Sequence, residues 1–174
     1  MRLSTPLLGF CAYASGTGKT TLISSLIPLL GEAGLRISVI KHTHHIFDID
    51  HPGKDSYRLR KSGAVQTLLS SNKRLALMTE RSSNGNDCEP DLQELVAHMD
   101  ASLADLIVVE GFKHAPIPKI EIYRPSLGNP LLARDDAHII AIATDGEVKT
   151  HLPVLDLNNQ VKISAFIQAW LKKS

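Results

Sequence analysis

The hydrophobic and polar positions along the chain alternate between two patterns. Short, nearly uninterrupted apolar runs, such as LLGFCAY at residues 7–13 and DLIVVEG at 105–111, are typical of strands buried on both faces. Between such runs, apolar residues recur at three- and four-residue spacing; the first segment of this kind extends over residues 20–33, and Gly34 is a natural stop signal. Strands that alternate with helices predict an α/β fold with a doubly wound, mostly parallel sheet.

The remaining segments fit the same plan. Further strands are predicted in ISVIK, KIEIY and HIIAIATD, and further helices near residues 56–61, 91–99 and 161–173. The runs VQTLLSS and RLALMT flank Ser-Asn-Lys and predict a β-hairpin extension, whose exposed edge gives a physical reason to expect a homodimer. Because the chain has 174 residues, no internal repeat and no linker, we expect residues 1–174 to form a single domain.

Composition and charge narrow the functional classes only slightly. A formal net charge of +1 argues against bulk nucleic-acid binding, and the apolar runs are too short to span a membrane. The start MRLSTPLLGFCAYA mimics a signal peptide, but we expect residues 7–13 to form a buried strand instead. Cys11 and Cys88 form neither a disulfide framework nor a metal-ligand spacing, so a reducing, cytoplasmic location is expected.

The segment SGTGKTT, which follows the first predicted strand, carries the most specific chemistry. The phosphate-loop pattern is G-x-x-x-x-G-K-S/T between a strand and a helix, and residues 15–21 fit it. Tyr13 stands at the position of the first glycine, where a side chain is tolerated if it points away from the loop. The segment predicts a P-loop NTPase fold with the nucleotide-binding residues Ser15, Gly16, Thr17, Gly18, Lys19, Thr20 and Thr21.

Lys19, Glu110 and Asp55 are the candidate catalytic residues. Lys19 is expected to reach the β- and γ-phosphates, and the Thr20 hydroxyl is expected to ligate Mg²⁺. Glu110 ends the strand DLIVVE and is expected to complete the Mg²⁺ shell directly or through a water, the alternative being an ordinary carboxylate at a strand end. Asp55 is the best candidate in its segment for orienting water or Mg²⁺, in the manner of a switch loop.

The segment KHTHHIFDIDHPGKDSYRLRK, residues 41–61, is rich in cationic and histidine side chains. It leaves a predicted strand at the carboxyl end, where parallel sheets form their ligand crevice. A second anion pocket is the favoured hypothesis; a solvated loop and a zinc or copper site made by the histidines are the alternatives. The residues predicted for the anion pocket are Lys41, His42, Lys54, Arg58, Lys61 and Lys113.

The base that the site selects is the least determined property. Guanine-selective pockets typically use an acid after a late strand, often within an Asn-Lys-x-Asp sequence. The segment IATDGE places Asp145 at such a strand end but lacks the Asn and the Lys, so the residues leave both GTP and ATP open. A plain turn or cap role for Asp145 is the alternative.

Five segments occur in an order that resembles one family. SGTGKTTL, IKHTHH, PGKDSYRLRKSGA, ALMTE and VEGFKH, within roughly residues 7–145, are similar to motifs of the MobB family of molybdopterin-guanine dinucleotide biosynthesis adaptor proteins. The resemblance implies a homodimer that binds GTP and has weak GTPase activity, which agrees with the Mg²⁺-nucleotide site predicted from the residues. It also implies a MobA-type molybdenum cofactor guanylyltransferase as partner, which attaches GMP to molybdopterin, and molybdopterin as a candidate ligand. Tyr13 departs from the family pattern, which has a small residue there.

Three other functions compete with this interpretation. A small-molecule kinase also uses a phosphate loop, but it needs an arginine-bearing lid, for which RSSNGNDCEP and YRPSLGNPLLARDD are the candidates. A metallochaperone GTPase would explain the histidines but lacks a cysteine-rich entry motif. A binding module that holds nucleotide without turning it over is the third alternative.

Overall fold

The structure, a computed structural model, describes residues 5–43, 47–81 and 90–173. The chain forms two compact units, one made by Met1–His42 with Pro90–Ser174 and the other by Thr43–Glu89. We call them the sheet unit and the hairpin unit. The single domain expected from the sequence stays a prediction. Within the described part of the chain, no helix is long and apolar enough to cross a membrane.

The sheet unit contains a six-stranded sheet in which all neighbouring strands are parallel. In the order in which they lie side by side, the strands are β2 (Ile37–Lys41), β5 (Leu106–Glu110), β1 (Leu7–Cys11), β6 (Lys119–Tyr123), β7 (Ile139–Thr144) and β8 (Val154–Asp156). The parallel sheet confirms the sequence prediction, and each strand predicted for it is present. The strand β8 was not predicted, because its three residues are too few for a periodic pattern.

Helices cover both faces of this sheet. They are α1 (Lys19–Glu32), α3 (Leu92–Ala97) and α4 (Gln160–Leu171), with single-turn 3-10 helices at Ala101–Leu103, Pro125–Leu127 and Leu132–Arg134. Helices α1 and α4 share one core with Leu106 and Val108, whereas α3 belongs to a second core with Ile107 and Val109. Successive residues of β5 therefore face opposite cores, which explains why the strand is apolar throughout. The doubly wound α/β class is confirmed.

The hairpin unit combines one short helix with a two-stranded sheet. The helix α2 (Asp55–Lys61) precedes β3 (Gln66–Ser70) and β4 (Leu75–Thr79). The two strands pair antiparallel, with Leu68 opposite Leu77. The predicted helix and the predicted hairpin extension are both confirmed.

Arg60 of α2 stabilises this unit from inside. Its guanidinium is buried and donates hydrogen bonds to Asp50 at 2.6 Å, to Asp48 at 2.7 Å and to Glu80 at 3.2 Å. These bonds connect α2 to the segment before it and to the residue that follows β4. Arg60 is therefore a structural cation within a segment whose other cations are exposed.

Candidate nucleotide-binding site

The strand order of the sheet unit places the candidate site segments in one row. Parallel strands end at the same edge of a sheet, so segments that follow neighbouring strands lie side by side. Along this edge the order is the end of β2, the end of β5, the loop after β1, and the residues after β6 and β7. In residue terms the row contains Lys41, Glu110, the phosphate loop (residues 12–18), Arg124 and Asp145.

The phosphate loop is closed on itself by two hydrogen bonds to one carbonyl. The carbonyl oxygen of Ala14 accepts from the Thr17 hydroxyl at 2.6 Å and from the Lys19 ammonium at 3.1 Å. Thr17 is buried, so its hydroxyl is a structural part of the loop. Tyr13 is 48% exposed, which shows how the loop accommodates a large residue at the position of the first glycine.

The loop ends at Gly18, which caps the first turn of α1. Gly18 has a φ of 102°, a left-handed conformation that suits glycine and strains other residues. The N–H groups of a first helical turn have no partner within the helix, and together with the helix dipole they favour a bound anion. Ser15 and Gly16 form the turn before Gly18, and Thr21 lies in the first turn of α1. All predicted nucleotide-binding residues from 15 to 21 therefore lie at a strand–helix junction.

Thr20, Glu110 and Lys41 make a three-way contact beside the loop, which we call the metal corner. The Thr20 hydroxyl donates to Glu110 Oε1 at 2.5 Å. The Lys41 ammonium lies 3.0 Å from the Thr20 oxygen and 3.2 Å from Glu110 Oε1. The two residues predicted for Mg²⁺ are thus in direct contact, and Lys41 is paired with them. Its predicted role in a second anion pocket stays a prediction.

The oxygens of the metal corner match the preferences of Mg²⁺. A hydroxyl and a carboxylate are hard oxygen donors, and Mg²⁺ is usually held by one or two such groups together with phosphates and waters. The Lys41 ammonium, within 3.2 Å of both oxygens, shows that a positive charge is favourable at this point. The donor set therefore fits a Mg²⁺ ion that is shared with a phosphate ligand.

A zinc or copper site made only by protein ligands finds no support in the described residues, which contain no group of three or more His, Cys, Asp or Glu placed to hold a metal. His44 and His45, which were considered for such a site, lie outside the described residues. His42 takes part in the packing after β5 instead, where its ring lies 5.1 Å from the ring of Phe112.

The pKa of Lys19 is lowered in the folded protein. Burial lowers its pKa from the ordinary value by disfavouring the charged form. The negative charge of Glu110 raises this pKa, and the positive charge of Lys41 lowers it. The nearby negative charge therefore offsets only part of the cost of burying the Lys19 ammonium, and phosphate oxygens would offset the rest.

The turn after β5 holds Glu110 in place. The backbone N–H of His42 donates to the carbonyl oxygen of Glu110 at 3.0 Å. Gly111 has a φ of 98°, and a Cβ at this residue would approach the His42 Cβ to 3.0 Å, so glycine is required here. Lys113, predicted for the anion pocket, is exposed on the loop that follows.

Buried charges in β6, which the sequence patterns did not reveal, anchor the loops beside the site. Lys119 is 1% exposed; its ammonium donates to two carbonyls of the loop after β5 at 2.6 and 3.1 Å and pairs with Asp136 at 2.7 Å. Glu121 accepts from two backbone N–H groups of Leu132–Arg134 at 2.8 Å, and burial raises its pKa. The available signal was a lysine and a glutamate in an otherwise apolar strand, because buried charges need partners.

Arg124 and Asp145, which follow β6 and β7, form what we call the arginine corner. Arg124 Nε donates to the carbonyl oxygen of Thr17 at 2.9 Å, and its Nη1 pairs with the Asp145 carboxylate. In the sequence, Arg124 was noted only as part of a candidate kinase lid, YRPSLGNPLLARDD. In the structure, its side chain is hydrogen-bonded to the phosphate loop. The other candidate lid lies mostly outside the described residues. Guanine recognition by Asp145 stays a prediction, and its carboxylate already has a cationic partner.

The remaining predicted residues lie in the hairpin unit. Lys54 precedes α2, and Asp55, Arg58 and Lys61 lie on this helix with exposed side chains. The Asp55 side chain is 94% exposed and lies 3.9 Å from the Arg58 guanidinium, while the Lys61 ammonium lies 5.5 Å from the centre of the Tyr57 ring. The anion pocket and the orientation of water by Asp55 stay predictions.

Comparisons with known sequences agree with the resemblance noted above. Residues 7–145 match the family model described as "Molybdopterin guanine dinucleotide synthesis protein B". The chain is similar to the molybdopterin-guanine dinucleotide biosynthesis adapter protein of Escherichia coli strain K12, with 48% identity over 97% of this chain and 94% of the relative. It is also similar to the adapter protein of the same description from Haemophilus influenzae, with 42% identity over 95% of this chain and 89% of the relative.

Solved structures share the fold. A crystal structure described as molybdopterin-guanine biosynthesis protein B (mobB) superposes with a TM-score of 0.73 at 27% identity, covering 95% of this chain and 99% of that chain. A MobB homologue from Bacillus stearothermophilus gives a TM-score of 0.71 at 21% identity, covering 97% and 99%. The second likeness shows the fold alone. Both agree with the mostly parallel α/β fold of the sheet unit.

Proposed function

The chain belongs to the molybdopterin guanine dinucleotide synthesis protein B family, and from that membership we propose that it is a GTP-binding adaptor with weak GTPase activity. Its general role is that of an adapter in the biosynthesis of molybdopterin guanine dinucleotide. The observation that carries the nucleotide-binding part is the contact between Thr20, at the start of α1, and Glu110, at the end of β5. A phosphate loop beside such a pair suits Mg²⁺ and a nucleoside triphosphate.

Each residue of the site has a distinct task in holding the triphosphate. The N–H groups of the phosphate loop and of the first turn of α1 donate to phosphate oxygens. Lys19 adds a charge-assisted hydrogen bond to the β- and γ-phosphates. Thr20 and Glu110 would hold Mg²⁺, which would neutralise part of the phosphate charge. GTP is proposed rather than ATP because the relatives are named for a guanine dinucleotide.

Slow hydrolysis follows from the same set of residues. A water oxygen forms a bond to the γ-phosphorus while the bond from that phosphorus to the β–γ bridging oxygen breaks, so that GDP, phosphate and one proton are released. Lys19 stabilises the charge that develops on the bridging oxygen, and Asp55 is the candidate for orienting the water. The Asp55 side chain is 94% exposed, and turnover is expected to be slow because catalysis depends mainly on preorganised groups.

Equilibrium binding and single-turnover release of γ-phosphate test this proposal together. The wild-type protein should bind GTP in the presence of Mg²⁺ and release phosphate slowly, and Lys19→Ala should bind GTP far more weakly and release less phosphate. If folded wild-type protein does not bind GTP, the nucleotide-binding proposal is wrong. Binding without release would indicate a binding module, and stoichiometric transfer of phosphate to an added acceptor would indicate a small-molecule kinase.

We propose a MobA-type guanylyltransferase as the partner and molybdopterin as the ligand of a second anion pocket. Molybdopterin carries a terminal phosphate, and Lys54, Arg58 and Lys61 are exposed cations at one short helix. Neutralising these three residues should preserve GTP affinity and reduce formation of the dinucleotide cofactor in a mixture with the guanylyltransferase. Equal loss of both would mean that these residues act on the GTP phosphates instead.

We also propose that the protein forms a homodimer through the hairpin unit. Leu68 and Leu77 lie opposite each other across β3 and β4, and they are 59% and 50% exposed. An exposed apolar face on a two-stranded sheet is usually paired or protected. Light scattering at tens of micromolar should give twice the mass of one chain, and replacing both leucines by serine should give the monomer mass. A monomer mass for the wild-type protein would contradict the proposal.

A further inference from the structure

Arg124 contacts the backbone of the phosphate loop. Its Nε donates to the carbonyl oxygen of Thr17 at 2.9 Å, and its Nη2 lies 3.4 Å from the point that a Cβ on Gly18 would occupy. Its Nη1 pairs with the carboxylate of Asp145. The guanidinium therefore lies against the peptide that joins Thr17 to Gly18, and Asp145 holds it there.

The planarity of this peptide makes the contact directional. In a trans peptide, the C=O of one residue and the N–H of the next point in opposite directions. Because the Thr17 C=O is turned towards Arg124, the Gly18 N–H is turned away from it. Glycine permits more than one orientation of its peptides, so the hydrogen bond from Arg124 selects one of them.

Asp145 provides the second fixed point of the guanidinium. The side chains of Arg124 and Asp145 are 33% and 24% exposed, so their ion pair is less screened than one on an open surface. The guanidinium fork can bind a carbonyl through Nε and a carboxylate through Nη1 at the same time, which the single ammonium of lysine cannot reproduce. Asp145 thereby has a task that does not depend on the base of a nucleotide.

We propose that Arg124 is a positioning residue of the phosphate site and that Asp145 orients it. Together they preset the peptide between Thr17 and Gly18, so that the Gly18 N–H can donate to a phosphate oxygen. The inference rests on the proposed nucleotide-binding function and adds to it a pair of residues outside the phosphate-loop motif. Its consequence is that this pair affects every polyphosphate ligand equally, whatever the base.

Displacement of a fluorescent GTP analogue tests the consequence, with GTP, ATP and inorganic tripolyphosphate as competitors in the presence of Mg²⁺. Arg124→Gln should weaken all three by the same factor, about tenfold or more, the usual effect of losing one charge-assisted hydrogen bond. Asp145→Asn should weaken all three by a smaller common factor, and Arg124→Lys should restore little of the loss. Arg134→Gln removes an exposed arginine from a nearby 3-10 helix and should bind all three like the wild type.

Two further measurements distinguish positioning from general stabilisation. Arg124→Gln should shift the backbone amide resonance of Gly18, while the thermal unfolding midpoint of the nucleotide-free protein stays close to that of Arg134→Gln. A lowered midpoint with an unmoved Gly18 resonance would show a purely structural role and overturn the proposal. If Arg124→Gln does not fold, the same test is made by measuring the affinities of Asp145→Asn for GTP, ATP and tripolyphosphate.

Two binding results would also overturn the proposal. The first is loss of GTP affinity alone in Asp145→Asn, with ATP and tripolyphosphate unaffected, because that pattern means guanine recognition. The second is wild-type affinity of Arg124→Gln for all three ligands. A wild-type protein that binds none of them would overturn the proposed nucleotide-binding function itself, and this result is distinct from the other two.

Discussion

The metal corner and the arginine corner follow one plan on opposite sides of the phosphate loop. In each, an acid at or just after the end of one strand pairs with a cation at or just after the end of the neighbouring strand. The pairs are Glu110 with Lys41 and Asp145 with Arg124. Each pair also contacts one threonine of the loop–helix junction, Thr20 in the metal corner and Thr17 in the arginine corner.

The two corners differ in the atom of the threonine that they contact. The metal corner contacts the hydroxyl of Thr20, and its cation is a single ammonium on a Lys41 side chain that is 50% exposed. These groups can exchange their partners for Mg²⁺ and phosphate. The arginine corner contacts the backbone carbonyl of Thr17. A phosphate oxygen cannot take the place of Arg124 at this carbonyl, because both oxygens are hydrogen-bond acceptors. We infer that the first corner rearranges on binding and that the second persists.

Loss of Lys19, which lies between the corners, should have the largest effect on GTP binding. Lys19→Ala should weaken binding by on the order of 3 kcal/mol, roughly 150-fold, because a partly desolvated, charge-assisted contact with two phosphates is lost. Isothermal titration with GTP and Mg²⁺ measures this loss. Lys162→Ala, an exposed lysine on α4, is the control and should bind normally. Wild-type affinity of Lys19→Ala would mean that the corners do not flank a phosphate site.

Variants of the two corners should differ in how their loss of GTP affinity depends on Mg²⁺. Thr20→Ala and Glu110→Gln should each weaken GTP binding about tenfold in Mg²⁺ and little in the presence of a chelator, because their oxygens act through the metal. Arg124→Gln should weaken binding under both conditions. Parallel titrations with and without chelator provide the comparison. Equal losses for Thr20→Ala under the two conditions would remove Thr20 from the Mg²⁺ shell.

The pH dependence of GTP affinity should also distinguish the two acids. Burial lowers the pKa of Lys19 in the folded protein. At pH values between this lowered pKa and the ordinary pKa of lysine, the unfolded chain therefore binds more protons than the folded protein. The nucleotide-free protein accordingly gains stability as the pH rises through this window. GTP binds more tightly when Lys19 is protonated, so the affinity of the protein for GTP should fall as the pH rises through the same window. Glu110→Gln should move this fall to lower pH, since Glu110 raises the pKa, and Asp145→Asn should leave it in place. Titrations at successive alkaline pH values test both expectations.

Lys41→Met should have the smallest effect. If the metal corner exchanges its partners, Lys41 gives up its contacts when Mg²⁺ and GTP bind, and affinity in Mg²⁺ should change by less than about threefold, as for a half-exposed ion pair. Formation of the dinucleotide cofactor can still decrease if Lys41 belongs to a second anion pocket. A tenfold loss of GTP affinity would show that Lys41 remains at the phosphates and that the metal corner does not rearrange.

Thr20 and Glu110 of the metal corner could be predicted as Mg²⁺ ligands, whereas the sequence favours an anion pocket for Lys41, and its contact with them was not predicted. The signals for the phosphate loop and Thr20 are local. Gly16, Gly18 and Lys19 lie within four residues of one another, and the apolar run on each side indicates a strand before them and a helix after them. Glu110 could be predicted because it ends an apolar run, and the ends of parallel strands meet at one edge. The direct contact between Thr20 and Glu110 depends on β5 lying next to β1, and the sequence did not predict this strand order.

The arginine corner could not be predicted in the same way. Arg124 stands in a loop of mixed composition without a motif, and its contact with Thr17 joins residues 107 positions apart. Lys119 presented a similar difficulty, because a lysine in a short strand reads as a solvent-exposed residue until both faces of that strand are known to be covered.

The sequence by itself determined the α/β class, the sheet strands longer than three residues, the phosphate loop and the acid that faces Thr20, because periodicity and glycine placement are short-range properties of a chain. Only the tertiary structure decided that β6 and β7 lie next to each other beside β1, which brings Arg124 to Thr17 and Asp145 to Arg124. The physical reason is that strand order depends on how helices and connections pack across the whole sheet, and no local pattern of residues encodes that choice.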